Sequence, residues 1–103
     1  MRERIVEIYP SNRLHKKYTA VVRNKETGVE WSVAFGDKRY QQYKDSSPLK
    51  TYSNLDHGDK KRRAAYFSRH SAGAKTKAEA LEHEINKSDG FYNAKILSHR
   101  YLW

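Results

Sequence analysis

Apolar and polar residues alternate most regularly between residues 17 and 35. In K-Y-T-A-V-V-R (17–23), Tyr18, Ala20 and Val22 fall on one side of an extended chain, with Thr19, Val21 and Arg23 on the other. In V-E-W-S-V-A-F (29–35), Val29, Trp31, Val33 and Phe35 share a side, and Glu30, Ser32 and Ala34 oppose them. A period of two marks a strand that buries one face. The intervening N-K-E-T-G has hairpin length, and Gly28 can take the positive φ of a tight turn. The pattern therefore predicts a β-hairpin. Its Val29/Trp31/Val33/Phe35 row is expected to centre the core and needs a cover. Burying one such large side chain is worth roughly 1.5–3 kcal/mol. A further short strand is expected over R-I-V-E-I-Y (4–9), ended by Pro10-Ser11-Asn12. As an edge strand it could pair with a second copy. Residues 13–17, with His15, read as a polar connector.

Past Gly36 the strict alternation stops. Residues 37–48 carry Tyr40 and Tyr43 three apart, which suits one helical turn or an extended segment, and Ser46-Ser47-Pro48 breaks either. Residues 49–58 read as loop. The stretch Asp56–His70, D-H-G-D-K-K-R-R-A-A-Y-F-S-R-H, then predicts a short helix. Asp56 or Asp59 would cap it, and Arg69 and His70 would meet the negative end of its dipole. At roughly 100° per residue, Arg63, Tyr66, Phe67 and His70 form a flank that can pack. Lys61, Arg62, Ala65 and Arg69 form a basic flank, with Lys60 and Ala64 between. Asp59 is otherwise suited to pair with Arg62 or Arg63.

Thr76-Lys77-Ala78-Glu79 has capping-box form and predicts a second helix, with Ala78, Leu81 and Ile85 as a narrow apolar stripe. Lys87-Ser88-Asp89-Gly90 stops it. Residues 91–103 form a third helical segment, with Phe91, Ala94, Ser98 and Tyr101 on one side and Ile96, Leu97 and Trp103 elsewhere. So apolar a segment is expected to dock on the hairpin face, Trp103 included. The pattern as a whole predicts one α+β domain over 1–103. An N-terminal antiparallel β-hairpin or three-stranded sheet lies within 4–35, and two or three short helices lie within 56–103.

Charge changes what the basic helix flank means. A run of cations is usually a solvated face, but the 103 residues hold 21 Lys and Arg against 12 Asp and Glu, a net charge of +9. That excess on a small chain points to a polyanion, nucleic acid before an acidic membrane surface. An aromatic share of 13% argues against disorder. With no cysteine, disulfides and thiolate metal sites are excluded. No run approaches the roughly 20 apolar residues of a membrane span, and M-R-E-R-I-V-E-I-Y lacks a signal core, so secretion is not expected.

Several of these segments, taken in order, resemble a known family. They are Phe35-Gly36, Tyr40 and Tyr43, Asp59 with Arg62-Arg63, Tyr66 with Arg69-His70, and Gly90 with Leu102-Trp103. The family consists of short basic proteins encoded by large double-stranded DNA viruses, among them viruses of algae and amoebae, and by some phages. The resemblance runs from Phe35 onward. It implies a viral setting, in the virion or in the host cytoplasm or nucleus during infection, and it implies no assigned activity. Where relatives carry a tryptophan-containing linker after Arg-His, this chain has the helical stretch 75–86.

Catalysis is not expected. Asp56, His57, Asp59, His70, His83 and His99 lack the paired spacing of a metal site. Ser68, Arg69 and His70 make no nucleophile pair, and no Gly-rich phosphate loop is present. Neither cofactor, small-molecule substrate nor membrane partner is expected. The first functional expectation is backbone-led, sequence-tolerant nucleic-acid binding by Lys60, Lys61, Arg62 and Arg69, assisted by Lys38 and Arg39 with Tyr40 and Tyr43 alongside. Asp59 and His70 are expected as helix caps, and Trp31, Val33, Phe35, Tyr66, Phe67 and Trp103 as core. The second expectation is a minor capsid or assembly protein, its basic helix and C-terminal aromatics binding a larger shell protein. A host-directed effector is a third.

Overall fold

The alternating stretches pair as a period of two requires. The computed structural model describes residues 1–103. Strands Glu3–Pro10 (β1), Lys16–Asn24 (β2) and Glu30–Asp37 (β3) make one antiparallel sheet in the order β1-β2-β3. Tyr18 faces Phe35, Ala20 faces Val33 and Val22 faces Trp31. In β1, Ile5 faces Val22 and Glu7 faces Val21, so Val6 is an extra, bulged residue. The bulge shifts the alternation by one, which lets Ile5 and Ile8 both pack against the core although they are three apart. It also interrupts an open sheet edge.

Helices Lys60–His70 (α1), Lys77–Lys87 (α2) and Ala94–Tyr101 (α3) complete an α+β domain. Each starts at a side-chain cap. Asp59 Oδ1 accepts from the N–H of Lys61 (2.9 Å) and Arg62 (3.2 Å), Thr76 Oγ1 from Glu79 (3.1 Å), and Asn93 Oδ1 from Ile96 (2.9 Å). Asp59 is thus the N-cap, and Asp56 is not. The core joins Tyr18, Ala20, Val22, Val33 and Phe35 of the sheet to Tyr92, Ile96, Leu97 and Leu102. Phe67, Ala74 and Ala80 form a smaller cluster.

Four expectations are corrected. Trp31 is not core: it is 47% exposed, and Val29 lies further out. The cover runs out, because α3 has eight residues, about 12 Å of helix, against eight residues of β3, about 26 Å. Trp31 instead donates from Nε1 to Glu3 Oε2 (2.6 Å), while Oε1 of that buried carboxylate accepts from the Tyr92 N–H (2.8 Å). On α3 the buried residues are Ile96, Leu97 and His99, not the Ala94/Ser98 side, and Phe91 precedes the helix and is exposed. On α2, Leu81 and Ile85 do pack half-buried against the core, but Ala78 is exposed and the fully buried residues are Ala80 and Glu84. Finally, His70 is exposed, and it is the Ser71 N–H that serves the Phe67 carbonyl (2.9 Å) at the end of α1.

Gly36, one residue before the end of β3, shows why a glycine follows Phe35. Its φ is +76°, and a Cβ there would stand 2.9 Å from Leu102 Cδ1 and 3.1 Å from Lys17 Cβ. Gly36→Ala should lower unfolding stability by about 2 kcal/mol through backbone strain and overpacking. A urea titration indistinguishable from the parent protein would refute the close approach.

Candidate nucleic-acid interface

The cap at Asp59 fixes where α1 begins and so how its faces point. Phe67 is buried, Arg63 and Tyr66 are half-buried, and Lys60, Lys61, Arg62 and Arg69 are exposed. The Arg63 guanidinium sits over the Tyr43 ring (4.6 Å) and near Phe67 (5.7 Å), and its Nε donates to the Trp103 carbonyl (3.0 Å). Tyr66 stacks on Trp103 with centroids 4.1 Å apart and planes 4° from parallel. His70 flanks Tyr66 at 4.5 Å, and His57 flanks Trp103 at 5.3 Å. An aromatic column thus runs along the inner side of α1.

The exposed cations of α1 have no carboxylate partner. The ion pairs are Arg2–Asp89, Arg23–Glu30, Arg39–Asp37, and His83 and Lys95 with Glu84. Arg62 donates to the neutral Gln41 Oε1 (2.9 Å). Most acids are committed elsewhere: Asp59 and Glu79 to helix starts, Glu3, Asp45 and Glu84 to buried hydrogen bonds, Asp56 to the loop below. Structural use of the acids leaves the surface basic.

Beside α1 lies an open groove of about 590 Å³. Arg62, Arg69 and His70 contribute one wall, Lys95 and Ser98 of α3 another, and Lys16, Asp37 and Tyr40 the sheet side. Its one carboxylate, Asp37, is held by Arg39, whose hydrogen bonds keep that carboxyl well below the usual range. Of the expected contact residues, Arg62, Arg69 and Tyr40 therefore meet at one groove. Lys60 and Lys61 lie on the exposed side of α1, and Lys38 is exposed on the turn after β3. Arg39 is tied back to Asp37, and Tyr43 is packed beneath Arg63 rather than presented at the surface.

The segment that presents Tyr40 is not helical. It is a turn over Lys38-Arg39 closed by the Tyr40 N–H on the Asp37 carbonyl (3.2 Å), followed by Gln42 bridging to Asp56 in parallel, and it rests on a buried polar network absent from the sequence expectations. Lys17 Nζ donates to the Tyr40 carbonyl (2.9 Å) and to Gln42 Oε1. Gln42 Nε2 donates to Asp56 Oδ1 (2.6 Å), which also accepts from the Asp45 N–H (2.8 Å). Burial pushes the Lys17 ammonium down, opposed by the charges of Asp37, Asp45 and Asp56. The visible sequence signal was D-S-S-P (45–48), whose short polar side chains bind nearby backbone. Ser47 and Asp45 do so here.

A second missed group is buried behind the groove. The Ser71 hydroxyl donates to Glu84 Oε2 (3.0 Å), so its oxygen accepts from His99 Nε2–H (2.7 Å). His99 Nδ1 is then bare and accepts from the Tyr66 hydroxyl (3.0 Å). His99 is wholly buried and Ser71 nearly so, so this Ser–His pair has no face for a substrate. No group of three or more His, Asp or Glu converges in a metal-holding arrangement. No helix is long and apolar enough to cross a membrane.

From within β1 to the last residue of α1, residues 6–70 match the model of the family of unknown function DUF5754. The chain belongs to that family. No curated protein and no solved structure matches it. The DUF5754 match takes in the sheet, the loop network and all of α1, and so the Lys16, Tyr40, Arg62 and Arg69 sides of the groove. The Lys95 wall and Trp103 come from beyond the matched residues.

Proposed function

We propose that the protein binds nucleic acid through its phosphate backbone with little sequence specificity, without catalysis. The viral setting, virion or infected cell, rests on the family resemblance of its motifs. One observation carries the reading. Lys60, Lys61, Arg62 and Arg69 stand exposed without a carboxylate, while the acids that could neutralise them are used in caps and buried bonds. Charges left so give a coherent field, and each phosphate neutralised releases counterions. The chain holds no recognisable base-reading motif, so affinity should be nearly independent of sequence.

Packing weakens the shell-protein alternative. Tyr92 and Leu102 are core, and Trp103 is stacked on Tyr66, which leaves Phe91 as the main C-terminal aromatic at the surface.

The test is a gel shift with random-sequence DNA, single-stranded and duplex, at about 50 and 200 mM salt. Binding should fall steeply between the two, by a slope near −0.9 per phosphate contact for duplex. Replacing Lys60, Lys61, Arg62 and Arg69 together by Ser should weaken it about 100-fold. All four are exposed, so the thermal midpoint serves as the folding control. Undiminished affinity in the variant would make α1 the wrong surface.

A further inference from the structure

We infer that the groove between α1, α3 and the turn after β3 takes a single strand, with phosphates on its cationic walls and a base laid against Tyr40. The inference rests on the nucleic-acid reading above and names the form of nucleic acid.

Size is the first argument. At about 590 Å³ the groove is in the range of small-ligand pockets, roughly 300–1,000 Å³. A splayed nucleotide fits such a space, whereas a rigid duplex can only lie across its rim. The second argument is the placement of charge. Arg62 and Arg69 are seven residues apart on one helix, about 10 Å along its axis. Lys95 and Lys16 face the same groove from other elements. Cations on several sides suit a backbone that runs through the groove; Lys95 also leans on Glu84 (3.9 Å), but Lys16 has no carboxylate partner, and a duplex on the outer face of α1 would leave it unpartnered.

Tyr40 is the third argument. The residue is 65% exposed, yet its backbone is held at both ends. Its carbonyl accepts from Lys17 Nζ (2.9 Å), and its N–H donates to the Asp37 carbonyl (3.2 Å). The Arg39 guanidinium lies 5.7 Å from the ring centroid and is itself anchored to Asp37. An exposed aromatic on an anchored backbone beside a cationic channel is the arrangement on which unpaired bases stack. The other groove aromatics, Tyr66 and Trp103, already stack on each other. Tyr40 is thus the free platform.

The experiment compares fluorescence anisotropy of labelled oligothymidylate and a random duplex of equal length, at about 50 mM salt. The single strand is expected to bind about tenfold more tightly. Tyr40→Leu should remove about tenfold of the single-strand affinity and cost duplex binding far less, and Tyr40→Phe should retain it. Lys16→Gln should likewise weaken the single strand selectively. Equal affinity for both forms, with Tyr40→Leu silent, would overturn the single-strand groove and leave the α1 reading standing. Failure of both forms to bind would overturn the two together.

Discussion

Asp45→Ala should cost the fold about 4 kcal/mol, a large share of the roughly 5–15 kcal/mol that holds a small domain together. Asp45 is almost wholly buried, and its carboxylate accepts from Tyr18 Oη–H (2.5 Å), the Ser47 N–H (3.0 Å) and the Tyr52 N–H (3.1 Å). Alanine would leave those donors buried without an acceptor, at about 1–3 kcal/mol each before relaxation. The Tyr18 hydroxyl also accepts from the Thr51 N–H (3.0 Å), so the loss spreads along the 45–52 segment. Burial by itself would raise the Asp45 pKa, but the hydrogen bonds from Tyr18, Ser47 and Tyr52 outweigh it, and the net shift is downward. A depressed folded pKa contributes stability above the unfolded value near 3.9 and loses it as pH falls through the folded value. Asp45→Asn, which keeps one acceptor, should fall between the two proteins. Urea titrations at pH 7 decide the matter: a loss below about 1 kcal/mol for alanine would show that the network does not hold the loop.

Stability should fall by up to about 3 kcal/mol as pH drops from 6.5 towards 4, and His99 should cause most of the loss. Burial, first of all, pushes this imidazole down to about 4; Glu84 opposes, while His70, Lys95 and Lys77 add to the depression. The ordinary value is near 6.5. Above 6.5 both states are neutral and the contribution is intact. Between 6.5 and 4 only the unfolded chain takes up the proton, so stability is lost as pH falls. The hydrogen bonds give the same sign, because neutral His99 is the tautomer that accepts from Tyr66 and donates to Ser71. His83 and Lys95 also face Glu84. Desolvation lowers His57, and it also lowers His70, which is exposed as a residue but whose ring lies against Tyr66 with Arg69 and Lys95 nearby, so a smaller slope of the same sign should remain without His99. His99→Gln should be less stable at pH 7 and should lose most of the slope below pH 6.5. An unchanged slope in that variant, or a flat profile in the parent protein, would reject the assignment.

The buried network and the groove are linked. Lys17, Gln42, Asp45 and Asp56 hold the segment that presents Tyr40, while Tyr66 joins the groove wall to His99. Phe35-Gly36 belongs to the same construction, since Gly36 lets Leu102 and Lys17 close over the end of β3.

By itself the sequence determined the α+β class, the hairpin of β2 and β3 and the Thr76 start of α2, and it narrowed the start of α1 to Asp56 or Asp59. The Asn93 start of α3 and the place of β1 in the sheet were not legible in it. What it determined is local: a period of two needs only neighbours along the chain, and Asp59 or Thr76 caps a helix through backbone N–H groups two or three residues away. Only the tertiary structure decided which faces are covered and which polar groups are buried. Trp31 looked like core because alternation marks a face without measuring the length of the helix laid on it. Nothing in the sequence marked Lys17, Gln42, Asp45 and His99 for burial, and each is buried among partners distant in sequence: Lys17 with Gln42, Asp45 with Tyr18, His99 with Ser71 and Tyr66. The groove is of the same kind. Its cations come from β2, α1 and α3, and no stretch of chain holds them together before those elements dock.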